Sequence, residues 1–360
     1  MQKFKRIGVL TSGGDAPGMN AAIRAITCAA IRQGVEVMGI IGGYSGLINE
    51  KLKPLTTTSV ANIISRGGTA LYSDRCLEFK TEEGMQKAVA TCKKYNIDAI
   101  IAIGGDGTFR GATDLSLHGI PTIGVTGTID NDITATDYTV GFDTAMNTVV
   151  TIADQFRDTC QSHARCNVIE VMGRDCGWIA LMAGIASGAV AVAIPEIPFD
   201  EAKAIEKIQL EKAEGNRGML VIVSEGVFEE VDGKKVPYGE ILRERIEEAT
   251  GIETKFARLA HVVRGGSPSL RDRFTASKMG VRAVELLLEG KSDLIVAEEY
   301  GKLIPIDIRF ALTVDRMYKN KLKDGDLDGF SAEDIEKMKD ICAQRTAKMH
   351  RYYNLISKTS

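Results

Sequence analysis

One stretch, residues 100–132, constrains the fold more than any other part of the chain. It begins with the aliphatic run Ile100-Ile-Ala-Ile103, which stops at the turn Gly104-Gly-Asp-Gly107. A short run of this kind is typical of a strand that is buried on both faces of a parallel sheet. The glycines let the backbone turn sharply and approach a ligand, and a helix is predicted to start near Thr108. The stretch therefore predicts an α/β fold with a ligand site at a strand end.

Asp106 lies inside this turn, and its charge indicates which ligand the turn holds. The free N–H groups at the N-terminus of a helix favour bound phosphate. A carboxylate that faces phosphates repels them unless a cation lies between the two. Asp106 is therefore predicted to be a Mg²⁺ ligand.

The second half of the stretch repeats the pattern. A strand is predicted over Ile120–Val125, and the loop after it carries Asp130 and Asp132. Two neighbouring strand ends would bring a phosphate and metal site beside a pair of carboxylates, which is what phosphoryl transfer requires. The alternative is that both loops are plain turns, because Gly, Asp and Asn are common turn residues. Their repetition after two strand-like runs favours the functional interpretation.

Composition excludes several classes of protein. The chain has 360 residues, enough for two domains, and a net charge of −3, which predicts no affinity for nucleic acid. Its seven cysteines form no C-x-x-C pair, and we found neither a signal peptide nor a long apolar segment. We therefore expect free thiols, a cytoplasmic protein and no membrane partner.

The alternation of strand, glycine turn and helix continues along the chain. Lys5–Ser12, Met19–Gln33 and Val35–Ile41 read as a βαβ unit. Later strands indicate a second doubly wound unit, and they are predicted at 166–172, 189–194, 219–223 and 257–263. Asp232-Gly233 predicts a hairpin turn, and Ser331 is predicted to cap a C-terminal helix. No dinucleotide fingerprint is present, which argues against a dehydrogenase.

Several segments of the chain resemble the signature set of the bacterial 6-phosphofructokinases. In chain order they are Thr11–Asn20 with Ala21 and Ala22, Gly104–Thr108, Gly127–Asp132, Glu170–Arg174 and His261–Pro268. The resemblance implies ATP-dependent phosphorylation of D-fructose 6-phosphate to fructose 1,6-bisphosphate, the committed step of glycolysis. It also implies two Rossmann-like, doubly wound α/β domains with mainly parallel sheets, Mg²⁺ as cofactor, and a homotetramer.

The resemblance also implies a role for each matching residue. The catalytic residues would be Asp130 as the base, with Thr128, Asp132 and Arg174. The nucleotide contacts would be Gly14, Tyr44, Arg75, Cys76, Gly105, Asp106, Gly107 and Thr108. The substrate contacts would be Thr128, Ile129, Asp130, Arg165, Met172, Gly173, Arg174, Glu225, Lys255, His261 and Arg264. Arg165 and Lys255 would reach the active site of a neighbouring subunit. Local pattern alone would favour a surface arginine at Arg75 and a core or structural histidine at His261.

The expected division of the chain follows the same resemblance. Residues 1–138 plus about 252–305 would form a larger nucleotide-binding domain. Residues 139–251 plus about 306–360 would form a smaller sugar-phosphate-binding domain.

The phosphoryl donor can be inferred from two positions. The resemblance implies that ATP users have glycine at the positions of Gly107 and Gly127, whereas pyrophosphate users have Asp and Lys there. The chain is therefore predicted to use ATP, although Thr126 replaces a common proline. The alternatives are a pyrophosphate-dependent enzyme, a kinase of a related sugar phosphate, or a catalytically silent subunit.

Two departures from the family pattern concern charge. Lys255 replaces an arginine, which keeps the charge but loses the bidentate fork. The family's effector site has also lost ligands. Arg24 and Arg157 are retained there, but other expected ligands are replaced by Cys28, Thr57, Val190 and Asn216. We expect weak or absent regulation by ADP or phosphoenolpyruvate.

Overall fold

The aliphatic runs of the sequence form the middle strands of parallel sheets, because their side chains are buried on both faces. The computed structural model describes residues 4–359. Every residue of the strand Ala99–Gly104 is buried, and so is every residue of the strand Gly218–Ser224. These two strands lie in different sheets.

Strands and helices alternate along most of the described chain. The strands are β1 (Arg6–Thr11), β2 (Glu36–Ile40), β3 (Leu52–Leu55), β4 (Ala99–Gly104), β5 (Thr122–Thr126), β6 (Arg165–Val171), β7 (Ala191–Ala193), β8 (Gly218–Ser224), β9 (Phe228–Val231), β10 (Lys234–Pro237), β11 (Thr254–Arg258), β12 (Leu294–Glu299) and β13 (Lys302–Asp307). The α-helices are α1 (Met19–Arg32), α2 (Gly43–Ile48), α3 (Glu82–Lys94), α4 (Asp106–Leu117), α5 (Phe142–His163), α6 (Trp178–Ala186), α7 (Glu201–Ala213), α8 (Tyr238–Thr250), α9 (Leu270–Leu288), α10 (Ile308–Tyr318) and α11 (Ala332–Thr359). This alternation confirms the predicted α/β class.

The described residues divide into two compact units. The first unit contains the residues as far as Ile129, then Ile133–Thr144 and Arg264–Cys342. The second unit contains Asp130–Asp132, Ala145–Val263 and the residues from Ala343 onward.

This division differs from the expected boundaries in identifiable places. Residues 252–263 belong to the second unit, because β11 pairs with β6 there. Residues 306–342 belong to the first unit, because α10 packs into the core of its sheet. Residues 139–144 also fall in the first unit, and residues 130–132 fall in the second.

In the first unit the described strands form a seven-stranded sheet in the order β13-β12-β5-β4-β1-β2-β3. The strands from β12 to β2 are parallel, while β3 and β13 run antiparallel at the two edges. Leu10 and Ile100 of the sheet pack against Phe109 and Leu115 of α4 in one buried cluster. The predicted βαβ unit is confirmed by β1, α1 and β2.

In the second unit the described strands form a four-stranded parallel sheet in the order β11-β6-β8-β7. Its core joins Val168 of β6 and Val221 of β8 to Ile208 of α7 and Leu242 of α8. β9 and β10 form the predicted hairpin around Asp232-Gly233. Both turn residues have positive φ, which is the geometry of a type I′ turn.

Some predicted element boundaries were wrong. Helix α4 begins at Asp106, two residues before the predicted start at Thr108, so Asp106 lies in its first turn. The predicted strand 257–263 is instead the end of β11 followed by a 3₁₀ helix over Ala260–Arg264. The predicted cap of α11 is confirmed, because Ser331 Oγ accepts from the N–H of Asp334 at 3.0 Å.

The seven cysteines are free thiols, as predicted. Cys92, Cys160, Cys166 and Cys176 are buried, whereas Cys28, Cys76 and Cys342 are partly exposed. Burial raises the pKa of the Cys92 and Cys166 thiols to about 12. Burial also raises the pKa of the Cys160 and Cys176 thiols.

Within residues 4–359, none of the helices combines the length and apolar character needed to cross a lipid bilayer.

Asp272 is a fully buried carboxylate that holds the segment before α5 against α9. It accepts hydrogen bonds from the N–H of Gly141 at 2.6 Å, the N–H of Thr144 at 2.8 Å and the hydroxyl of Thr144 at 2.5 Å. The hydroxyl of buried Tyr138 also donates to it. A carboxylate suits this position because it accepts from several donors at once.

We expect Asp272→Asn to lower the free energy of unfolding by about 2–4 kcal/mol, because the new amide would face N–H and O–H donors. Denaturant unfolding measures the change. Exposed Asp324 supplies the control, and Asp324→Asn should change stability by less than about 0.5 kcal/mol. Wild-type stability in Asp272→Asn would show that this network contributes little.

Candidate functional site

The predicted adjacency of the two strand ends is confirmed within the first unit. β4 and β5 are parallel neighbours, and the N–H of Gly127 donates to the carbonyl of Gly104 at 2.9 Å. A Cβ on Gly104 would lie 2.2 Å from Thr108 Oγ1 and 2.5 Å from Ser12 O. The turn at the end of β4 therefore packs directly onto the end of β1, and only glycine fits there.

The loops around Gly14 are drawn together at the end of β1. The hydroxyl of Ser73 donates to the carbonyl of Gly13 at 2.6 Å, which brings the loop of Arg75 and Cys76 to this turn. The guanidinium of Arg264 covers Gly14, since a Cβ there would lie 2.2 Å from Arg264 Nη1. The structure thus brings the predicted nucleotide contacts and Arg264 together.

Asp106 and Gly107 lie in the first turn of α4, beside open space. A Cβ on Gly107 would meet no atom within 4 Å. Asp106 is partly exposed and pairs with Arg110, one turn further along the helix, at 2.7 Å. The hydroxyl of buried Tyr44 donates to Thr108 O at 2.6 Å, and its ring stacks on Phe79. Tyr44 therefore stabilises the first turn of α4 from its buried side.

The donor set at this turn suits magnesium bound through substrate. Among the described residues, no three His, Cys, Asp or Glu side chains converge as a metal site. Mg²⁺ is commonly held by one or two carboxylates together with phosphate oxygens and water. Asp106, partly exposed in the first turn of α4, fits that mode of binding.

The loop after β5 carries the predicted carboxylate pair. In the first unit, Thr128 contacts the glycine turn, because a Cβ on Gly105 would lie 3.7 Å from Thr128 Cβ. Ile129 is fully buried. In the second unit, Asp130 is 2% exposed and Asp132 is half-buried. Asn131 between them has a φ of +47°, in the left-handed region.

In the second unit, Glu225 fixes the turn that presents Arg174. Its Oε1 accepts from the N–H of Gly173 at 3.1 Å and from the N–H of Arg174 at 2.9 Å. Arg174 has a φ of +55°, and a Cβ on Gly226 would lie 2.2 Å from its carbonyl oxygen. The Arg174 side chain is exposed while its backbone is clamped. Buried Met172 follows the last residue of β6, just before this turn.

Arg165 and Lys255 form a pair of cations on neighbouring strands. Glu253 joins them, with Arg165 Nε at 2.6 Å and Lys255 Nζ at 2.7 Å from its two carboxylate oxygens. These contacts, that of Arg165 being the larger, lower the pKa of the Glu253 carboxyl to about 2. The carboxylate thus stays ionised and keeps both cations together.

His261 is exposed in the 3₁₀ helix after β11, which excludes the alternative of a core histidine. Arg75 is also exposed, in the loop attached to Gly13.

The predicted residues fall into two groups, one in each unit. The first unit contains Gly14, Tyr44, Arg75, Cys76, Gly105–Thr108, Thr128, Ile129 and Arg264. The second unit contains Asp130, Asp132, Arg165, Met172, Gly173, Arg174, Glu225, Lys255 and His261.

Sequence reasoning missed Arg110 and Glu253, although each left a signal. Arg110 follows Asp106 at the i,i+4 spacing that pairs charges on a helix. Glu253 precedes Lys255 by two residues, and such residues share a face of an extended chain.

Known proteins match most of the length of this chain. A family model described as Phosphofructokinase matches residues 6–287. The chain is 48% identical over 319 residues to ATP-dependent 6-phosphofructokinase 1 of Clostridium perfringens, covering 89% of this chain and 97% of that protein. It is 52% identical over 305 residues to ATP-dependent 6-phosphofructokinase of Bacillus subtilis, covering 85% of this chain and 93% of that protein.

A solved structure gives the same result for the fold. The crystal structure of Pichia pastoris phosphofructokinase in the T-state matches with a TM-score of 0.85 and 32% identity. The match covers 99% of this chain, which spans 39% of the length of the Pichia chain.

Proposed function

The chain belongs to the phosphofructokinase family, and we propose that it transfers the γ-phosphoryl group of ATP to the 1-hydroxyl of fructose 6-phosphate. The observation that carries the proposal is the glycine turn at the start of α4, packed beside the loop that leads into Asp130. The products are fructose 1,6-bisphosphate and ADP.

The nucleotide end of the site consists of backbone groups and one carboxylate. The N–H groups in the first turn of α4 point out of the helix and favour phosphate oxygens. Asp106 would hold Mg²⁺, which neutralises the charge on the phosphates when it is bound. Arg110 shares the Asp106 carboxylate and keeps its charge balanced before nucleotide arrives.

Asp130 accepts the proton of the sugar hydroxyl as that oxygen bonds to phosphorus and the bond to the ADP oxygen breaks. A carboxylate suffices because the proton leaves late in a loose transition state. The burial of Asp130 keeps competing water away from it. Arg174, on its clamped turn, steadies charge on the transferred group.

The sugar phosphate is proposed to bind cations from two subunits. Partly exposed Arg165 and exposed Lys255, both fixed by Glu253, form a cationic pair that suits a phosphate dianion. We propose that this pair completes the active site of a neighbouring subunit in a homotetramer, and that the enzyme is cytoplasmic. Lys255 supplies a point charge rather than a fork, so it orients the phosphate less firmly than arginine would.

ATP is the proposed donor. Gly107 leaves open space beside the phosphate site, and the Clostridium and Bacillus relatives are named as ATP-dependent. Close packing also favours glycine at position 127, because a Cβ there would lie 3.2 Å from Ile103 and 3.4 Å from Met19. The pyrophosphate-dependent alternative is tested by the choice of donor in the assay.

Asp130→Asn removes the proposed base while keeping the shape of the side chain. We expect kcat to fall by about 10²–10⁴, with the affinity for fructose 6-phosphate retained. A coupled assay with MgATP measures kcat, and calorimetric titration measures sugar binding. Asp324→Asn is the matched control and should keep wild-type kinetics. Near-normal turnover of Asp130→Asn would contradict the assignment of the base.

Gly107→Asp places a negative charge in the open space beside the phosphates. We expect kcat/KM for MgATP to fall by about 10²–10³, because like charges at roughly 4 Å repel by a few kcal/mol. Gly107→Asn has the same volume without the charge and should lose less. Gly107→Ala is the control, since its Cβ meets no atom within 4 Å. Wild-type turnover with pyrophosphate in place of ATP would contradict the proposed donor.

We expect ADP and phosphoenolpyruvate to change half-saturation by fructose 6-phosphate less than about twofold, because the retained Arg157 is engaged elsewhere. Its guanidinium donates to the carbonyls of Ser187 and Gly188 at the end of α6. Val190 is a core residue, and the Asn216 amide donates to Glu211. Saturation curves with and without each effector check this. A several-fold shift would refute it.

A further inference from the structure

Helix α11 supplies a buried arginine to the loop that carries the proposed base. Arg345 is 9% exposed, and it lies in the second unit together with residues 130–132. Its Nη2 donates a hydrogen bond to the carbonyl oxygen of Asn131. Asn131 separates the two carboxylates of the loop, so this bond acts on the backbone between Asp130 and Asp132.

The backbone of Asn131 needs such a partner. Its φ of +47° lies in the left-handed region, which costs a residue other than glycine roughly 1 kcal/mol. Asparagine tolerates this conformation better than most residues do. A hydrogen bond from a guanidinium is charge-assisted, and it fixes the direction of the 131 carbonyl. That direction in turn sets where the neighbouring carboxylates point.

Arg345 is itself held by aromatic packing. Its guanidinium lies over the ring of Trp178, 5.6 Å from the centroid. Trp178 is 3% exposed, and Tyr352 of α11 packs against it edge to face with a centroid distance of 6.0 Å. Arg345 and Tyr352 are two helical turns apart on the same face of α11. Helix α11 therefore contacts Trp178 through two side chains, Arg345 and Tyr352, and this packing limits the rotamers open to Arg345.

The charge of Arg345 also reaches the groups around the loop. Burial raises the pKa of the Glu196 carboxyl, and the Arg345 charge opposes that rise. Glu196 accepts from the N–H of Gly177 at 2.9 Å, next to Trp178. The buried Cys176 thiol experiences the charges of both Arg345 and Asp132. Arg345 thus places a positive charge among buried polar groups close to the loop.

We propose that Arg345 is a positioning residue for phosphoryl transfer, which holds the Asp130–Asp132 loop in its reactive conformation through the Asn131 carbonyl. The proposal rests on the proposed function, because it requires Asp130 to act as the base. Arg345 acts through Asn131 and is assigned no contact with substrate.

The first experiment replaces Arg345 with an unbranched side chain that lacks the guanidinium. We expect Arg345→Met to lower kcat by about 10–100-fold, because small displacements of a reacting group have effects of this size. KM for fructose 6-phosphate and for MgATP should change less than about threefold. Arg345→Lys keeps the charge and a donor nitrogen but loses the planar guanidinium, and its kcat should lie between those of Arg345→Met and the wild type.

Arg351 gives a matched control on the same helix. It is exposed, and its guanidinium lies near the ring of Tyr352. Arg351→Met should keep wild-type kcat and both KM values. All assays are made well below the unfolding midpoint of each variant, so that a loss of folded protein does not lower the apparent kcat.

A double-mutant cycle separates positioning from a general structural effect. If Arg345 acts through the base, Arg345→Met should lower kcat less than about threefold further in the Asp130→Asn background. A further loss of 10–100-fold in that background would overturn the proposal, and so would unchanged kcat in the folded single variant. If Arg345→Met does not fold, the same cycle is made with Arg345→Lys.

The outcome for the proposed function is read separately. Absence of wild-type turnover with ATP and fructose 6-phosphate would overturn the proposed function, and the role of Arg345 with it. Normal wild-type turnover together with an unaffected Arg345→Met variant would overturn the role of Arg345 alone.

Discussion

The backbone around Gly104 is packed so closely that no side chain can occupy the position, and the site in the first unit depends on this contact. A Cβ there would collide with Thr108 Oγ1 at 2.2 Å and with Ser12 O at 2.5 Å. The carbonyl of Gly104 meanwhile accepts from the N–H of Gly127. The ends of β1, β4 and β5 and the start of α4 therefore share one anchor. The N–H groups at the start of α4, where we propose that phosphate binds, and the loop toward Asp130 are set by the same few atoms of backbone.

Besides Asp130, the proposed base, the second unit contains carboxylates that hold other groups in place. Glu225 clamps the turn of Arg174, and Glu253 joins Arg165 to Lys255. Buried Glu170 pairs with Arg258 at 2.5 Å on the same sheet. A cation that is fixed by its own counter-ion loses less side-chain freedom when phosphate arrives. The affinity of such a site depends on acidic residues as well as on the basic residues that face the ligand.

Local sequence was enough to predict those parts of the fold and site that depend on short-range physics. The run before Gly104, the turn with Asp106 and the Asp232-Gly233 hairpin each follow from neighbouring residues. The end of β11 and the 3₁₀ helix over Ala260–Arg264 were not predicted, because apolar Val262 and Val263 suit either structure. Arg345 left no signal at all. Its contact with Asn131 joins positions 214 residues apart, and an arginine in a charged helix normally faces water.

The distribution of the cysteines has a consequence for covalent labelling and for oxidation. The thiolate is the reactive form of cysteine, and burial keeps Cys92, Cys160, Cys166 and Cys176 protonated at neutral pH. Electrophiles and peroxide therefore react first with the partly exposed Cys28, Cys76 and Cys342. Cys76 belongs to the loop that is tied to Gly13. A fluorophore attached to Cys76 would thus lie beside the glycine turn, and its emission would respond to a ligand that covers the turn. The buried thiols would remain unlabelled.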